Sequence, residues 1–134
     1  MPIKYEQAPD IEKKAHEIVG ILGWNHIDLE NVGFIRSHGS KSRGTIARCH
    51  GMGKAMQIGM KKKRSFYVIE VISKRFDKLS PEDQIRTIIH ELMHIPKSFG
   101  GGFKHHDYVT ERTVEIYYKI YLELKDKSLQ KYGI

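Results

Sequence analysis

Hydrophobic positions change their period along the chain, and each change marks a different kind of element. Residues 10–22 place apolar side chains on one helical stripe, with Asp10 as the expected N-cap and Gly23 as the end of the helix. The β-branched and aromatic run at 65–72 predicts a strand. Between them, residues 27–60 mix short apolar pieces with glycine and basic residues, which indicates short strands joined by exposed turns.

A second helix is predicted after Ser80, which can cap it. Pro81 suits the first helical position, and Asp83 can complete a pair that resembles a capping box. The apolar stripe that follows runs to about Ile95, where Pro96 prevents the helix from continuing.

A third amphipathic segment, from about Asp107 to Lys127, predicts a C-terminal helix after a glycine-rich loop at 99–103. Asp107 is expected to cap this helix. Its predicted apolar face consists of Val109, Ile116, Tyr117, Ile120, Tyr121 and Leu124. The order of helix, strands, helix, loop and helix indicates an α+β fold, and residues 1–134 are expected to form one domain.

The composition is that of a folded globular protein, with 40% hydrophobic and 29% charged residues among 134. The sequence has neither an apolar run of membrane-spanning length nor an N-terminal signal peptide, so we expect a soluble cytoplasmic protein without a membrane partner. Cys49 is the only cysteine, which excludes an intramolecular disulfide and a zinc site of four thiolates.

The formal net charge of +7 comes largely from basic residues at 36–64, which end in the run Lys61-Lys62-Lys63-Arg64. Such a segment suits nucleic acid or another polyanion. It equally suits a solvated surface that keeps the protein soluble, and the pattern does not decide between the two.

The candidate metal-binding and catalytic residues lie on the second predicted helix, in the segment His90-Glu91-Leu92-Met93-His94. Residues four apart share one helix face, so His90 and His94 can bind one metal ion. Glu91 emerges at the edge of that face and can act on a water molecule that the ion activates.

A hydrolytic zinc site also needs a third protein ligand. Metzincins require glycine and histidine where this chain has Lys97 and Gly100, so that class is excluded. His105 and His106 are adjacent and therefore point in different directions, so only one of them is expected to bind the metal ion. The available donors are His105, His106, Glu111 and Glu115.

The stretch from His90 to Pro96, followed after three glycines by Lys104-His105-His106-Asp107, resembles the metallopeptidases of archaea and phages. These are similar in layout to the SprT/Spartan-like zinc proteases, and the resemblance covers about 65–125. It implies a zincin-like fold with a small mixed or antiparallel sheet, a Zn²⁺ cofactor, His106 as third ligand, and processing of proteins on DNA. The four-cysteine zinc ribbon that often accompanies SprT-like proteases is missing here.

The leading hypothesis is therefore a zinc metallopeptidase in which His90, His94 and His106 bind Zn²⁺ and Glu91 is the general base. An edge strand at about 67–71 would hold a protein or peptide substrate in extended form. One alternative is a nucleic-acid-binding protein with a structural zinc ion. Another is a zinc hydrolase that acts on something other than peptides.

Overall fold

The computed structural model describes residues 2–131. Four strands and five helices form in this part of the chain, which confirms the α+β class. The elements are β1 (Lys4–Gln7), α1 (Pro9–Leu22), β2 (Val32–His38), β3 (Ala47–Gly51), α2 (Lys54–Gly59), β4 (Tyr67–Ile72), α3 (Ser73–Phe76), α4 (Pro81–Met93) and α5 (Glu111–Lys131). No helix within residues 2–131 is both long enough and apolar enough to cross a membrane.

The four strands form one mixed sheet in the order β1-β2-β4-β3. β4 is parallel to β2 and antiparallel to β3, and β1 is antiparallel to β2. The strand at 65–72 is confirmed as β4, but the prediction that it lies at an edge is wrong, because β2 and β3 pair with it on both sides. The edge beside the helix that carries the histidine motif is β3, which contacts α4.

Helices α1, α4 and α5 pack together, with α1 against β2 and α4 against β3. The core between the helices and the sheet contains side chains that are at most 1% exposed, such as Phe34, Ile69, Ile18, Ile89 and Tyr121. Burial of each large apolar side chain contributes about 1.5–3 kcal/mol relative to its exposure. The packing of α4 on this core fixes the helix that carries the histidine motif.

Helix α1 begins two residues earlier than an N-cap at Asp10 would place it. Pro9 occupies its first turn and Ala8 precedes it, so the prediction that Asp10 is the N-cap is wrong. The Asp10 carboxylate instead accepts a hydrogen bond from Arg36 at 2.6 Å. The predicted end is confirmed, since Gly23 adopts a left-handed conformation with φ of 66°.

Helix α4 has the predicted start. The Ser80 hydroxyl accepts a hydrogen bond from the Asp83 backbone N–H at 3.1 Å, as an N-cap does. The helix ends at Met93 instead of Ile95, and His94 is its C-cap. The first histidine of the motif therefore lies in the last turn, and the second lies where the chain leaves the helix.

Helix α5 begins at Glu111, so the prediction that Asp107 caps it is wrong. Thr110 and Thr113 form the cap instead, because each hydroxyl accepts a hydrogen bond from the other residue's backbone N–H. The predicted apolar face is partly wrong. Val109 and Tyr121 are buried, and Val114 and Tyr118 are buried beside them, but Ile116, Ile120 and Leu124 are exposed. Helix α5 carries apolar residues on two sides, and packing against α1 and α4 selects one of them.

The segment 27–60 contains the expected strands, β2 and β3, and also a helix that its sequence did not predict. Helix α2 spans only six residues and buries Gln57 alone. The Gln57 amide donates to the Lys62 carbonyl at 3.3 Å, which ties the helix to the basic run that follows it.

Candidate metal centre

Three histidines from two parts of the chain meet beside α4. One nitrogen atom from each of His90, His94 and His106 lies within 4.8 Å of the other two. The ring centroids are 5.0 Å apart for His90 and His94, 5.4 Å for His90 and His106, and 4.8 Å for His94 and His106. In residues 2–131, His105 is not a member of such a cluster, and neither are Glu111 and Glu115.

The path of the chain after α4 explains how His106 reaches the other two histidines. The Lys104 backbone N–H donates to the His94 carbonyl at 2.9 Å. The His94 ring donates in turn from Nδ1 to the Lys104 carbonyl at 2.5 Å. Because a carbonyl only accepts, Nδ1 carries the proton and Nε2 keeps a lone pair for a metal ion.

The surroundings of His90 and His94 favour the uncharged form of both rings. Burial, together with the neighbouring His94 and His106, lowers the pKa of His90 to about 4. Burial also lowers the pKa of His94, and His106 and His105 add to this effect while the hydrogen bond to Lys104 opposes it. A neutral imidazole is the form that binds a metal ion, so His90 and His94 can bind a cation without first losing protons at neutral pH.

Glu91 lies beside the histidines and is almost completely enclosed. Only 6% of the residue is exposed, and burial raises the pKa of its carboxyl to about 7. Its carboxylate is not a member of the three-histidine cluster, although it lines the same cavity. The motif therefore supplies two nitrogen donors and a separate carboxyl group next to them.

Two cavities meet at this site. A cavity of about 320 Å³ lies over the cluster, with Cys49 and Phe103 in its wall. A larger cleft of about 940 Å³ opens from His90 and Glu91 along Ile46 and Leu79 to the first turn of α5. Ala47 of β3 lines both cavities, so the free edge of the sheet runs beside the histidines.

Sequence reasoning missed three contributors to this site. The edge role of β3 depends on strand order, which local patterns do not specify. The Lys104 carbonyl is a backbone group, and no residue type reveals it. The Tyr67 hydroxyl contacts the glycine-rich loop before His106, and only the glycines themselves hint at such a close approach.

The basic stretch is divided by the structure into paired and exposed residues. Arg36 binds Asp10 and Asp77 at 2.6 and 2.7 Å, and Arg64 lies 3.4 Å from Asp28. The side chains of residues 61–63 are exposed next to α2. Part of the predicted polyanion surface is thus committed to contacts within the fold.

A comparison with protein families matches residues 3–128 to a family model described as "Putative phage metallopeptidase". The chain belongs to this family. Membership implies a metal ion and protein or peptide substrates, and the three-histidine cluster offers a place for that ion. Searches of curated proteins and of solved structures found no match.

Proposed function

We propose that this member of the phage metallopeptidase family is a zinc-dependent peptidase whose zinc ligands are His90, His94 and His106. The observation that supports it best is the meeting of three imidazole nitrogens within 4.8 Å beside the buried Glu91. Three nitrogen ligands with one open position are typical of catalytic zinc sites. A magnesium or calcium site would call for oxygen donors, and the cluster contains none.

Zinc bound here would act as a Lewis acid toward water and toward the carbonyl group of the substrate. The protein supplies the proton transfers. Glu91 follows the first ligand on α4, so its carboxylate emerges at the edge of the ligand face and can take a proton from the attacking water. The same carboxyl then returns the proton to the amine that leaves.

The substrate would bind as an added strand on β3. An edge strand presents unpaired backbone groups, which an extended peptide can pair with. β3 pairs with β4 on one side, and its residues Ala47 and Cys49 line the cavities at the histidines. The cleft of about 940 Å³ gives room for side chains of that peptide next to Glu91.

The decisive experiment compares the wild type with Glu91→Gln, which keeps the size of the side chain and removes its proton-accepting oxygen. Bound zinc is measured by elemental analysis, and cleavage is measured on an unfolded protein. We expect both proteins to bind zinc, and cleavage to fall at least 100-fold in the variant. Full cleavage by Glu91→Gln would refute the proposed role, and a wild type without bound metal would refute the metal centre. Cleavage of an ester but of no peptide would place the same site in a different hydrolase class.

A second candidate function is nucleic-acid binding, with zinc in a structural role. Residues 31–69 contain nine lysines and arginines and no aspartate or glutamate, which is a strong local excess of positive charge. The resemblance to SprT-like proteases also favours nucleic-acid binding, because proteases of that kind process proteins on DNA. Nucleic-acid binding by itself is compatible with the peptidase, whereas a purely structural role for zinc is not.

To separate them, residues 61–63 are changed together from lysine to glutamine. If nucleic-acid binding is real, affinity for duplex DNA falls and the slope of log K against log salt becomes shallower by about three. If the segment only solubilises the protein, neither quantity changes. Glu91→Gln serves as the matched control, because it leaves this surface intact.

A further inference from the structure

The loop that leads to the third ligand is tied to the second one. Phe99 to Phe103 connects the end of α4 with Lys104, and Lys104 exchanges two hydrogen bonds with His94. His106 follows two residues later. The position of this loop therefore decides where the third imidazole lies.

The Tyr67 hydroxyl holds the middle of the loop. It accepts a hydrogen bond from the Gly101 backbone N–H and donates one to the Gly102 carbonyl, both at 2.8 Å. A phenol has one proton to donate and lone pairs to accept with, so both bonds form together. The Tyr67 ring also packs edge-on against Phe99 and Phe103, with centroids 4.9 and 5.9 Å away. One buried side chain thus contacts both ends and the centre of the loop.

The Met52 backbone packs against the side of the loop that faces away from Tyr67. Gly101 has a φ of +93°, and a Cβ atom there would lie 2.2 Å from the Met52 carbonyl oxygen. That carbonyl is itself fixed, because it accepts a hydrogen bond from the Ser65 hydroxyl at 2.7 Å, while the Met52 N–H donates to Phe66 at 2.8 Å. The loop is therefore held between Tyr67 and the Met52 backbone.

We propose that Tyr67 is a positioning residue of the metal centre, which fixes the loop at Gly101 and Gly102 and thereby places His106 beside His94. This inference rests on the proposed function, because it assumes that the cluster binds a metal ion. If the two hydrogen bonds are lost, the loop gains conformations in which the His106 imidazole is misplaced. Metal binding must then order the loop, at a cost in conformational entropy. Changes that disturb the orientation of metal ligands typically weaken metal affinity by about 10–100-fold.

The first test is Tyr67→Phe, which keeps the ring contacts and removes both hydrogen bonds. Tyr121→Phe is the matched control, since the buried Tyr121 hydroxyl donates to Glu17 at 2.5 Å, between α5 and α1 and outside the loop. Zinc affinity is measured by competition with a chromophoric chelator, and the ligand geometry is measured from the visible spectrum of the cobalt-substituted protein. We expect zinc affinity at least tenfold weaker and an altered cobalt spectrum for Tyr67→Phe only. Equal zinc affinity and equal spectra for wild type and Tyr67→Phe would overturn the inference, and so would the same loss of affinity in both variants.

A second pair of variants tests the loop without changing the tyrosine. Gly101→Ala places a methyl group against the Met52 carbonyl, whereas a Cβ at Gly102 meets no atom within 4 Å. We expect Gly101→Ala to weaken zinc binding by tenfold or more and Gly102→Ala to change it less than twofold. Equal affinities for these two variants would count against the positioning role. If the wild type binds no zinc, the proposed metal centre is refuted. If the wild type and Tyr67→Phe bind zinc equally tightly, only the role of Tyr67 is refuted.

Discussion

Arg36 is the clearest case in which a basic residue of the predicted polyanion surface has a structural role. Its guanidinium donates to Asp10, Asp77 and Ser73 at 2.6, 2.7 and 3.1 Å, and thus joins β2 to the start of α1 and to both ends of α3. The two carboxylates are 61% and 54% exposed, so each ion pair contributes only about 0.2–1 kcal/mol. The bond to the buried Ser73 adds about 1 kcal/mol. Arg36→Met should therefore lower the free energy of unfolding by about 2 kcal/mol, or the Tm by roughly 8 °C.

The assay is thermal unfolding followed by circular dichroism, with Asp10→Asn and Asp77→Asn as single-partner controls that should each cost less than Arg36→Met. The hydrogen bond from Arg36 lowers the pKa of Asp10, so this contribution is present above the usual aspartate pKa of about 4 and is lost as the pH falls below it. Arg36→Met should therefore differ less from the wild type near pH 2 than at pH 7, while the part of the loss that comes from the Ser73 hydrogen bond remains at both values. A Tm within 2 °C of the wild type at pH 7 would refute the reasoning. So would a loss of DNA affinity in Arg36→Met as large as that of the triple change at 61–63.

Three further changes test other parts of the fold. Gly51→Ala should cost about 1–3 kcal/mol in chemical denaturation, because its Cβ would lie 2.7 Å from Phe103, whereas Gly53→Ala, with open space, should cost nothing. Thr110→Ala removes the cap of α5 and should lower stability by about 1 kcal/mol, most visibly as fraying in amide hydrogen exchange. The hydrogen bond from Tyr121 lowers the pKa of Glu17, so Glu17→Gln should destabilise the protein by about 1 kcal/mol at pH 7 and hardly at all near pH 3; equal losses at both values would contradict this.

Local signals in the sequence were sufficient where a single residue determines a helix end or a strand. The hydroxyl of Ser80 and the backbone freedom of Gly23 act on their own helices, so α4 starts and α1 ends where expected. The residues of β4 are buried on both faces of the sheet. A strand buried in this way favours β-branched residues, whichever strands lie beside it. The histidine spacing in the motif is also local, because it depends only on helix geometry.

Other features depend on partners far away in the sequence. All four residues of β1 are exposed, and the strand is held by backbone pairing with β2, which leaves no hydrophobic pattern to detect. Helix α2 spans only six residues, which is too short to show a helical period. The start of α5 was misplaced because Asp107 and Thr110 are both good capping residues, and only the course of the loop selects between them.

The choice of His106 over His105 has the same kind of cause, and it shows how the site becomes complete. His94 binds Lys104 through both its ring and its backbone, so the chain returns to the histidine cluster two residues before His106. Adjacent residues point in different directions, and residue 106 is therefore the one that joins the cluster. The ring orientation of His94 and the placement of His106 thus both depend on the contact between His94 and Lys104. A preformed arrangement of this kind lowers the conformational entropy that metal binding must overcome. Residues of β4 and of the glycine loop, which never touch the ion, would then influence how tightly it is held.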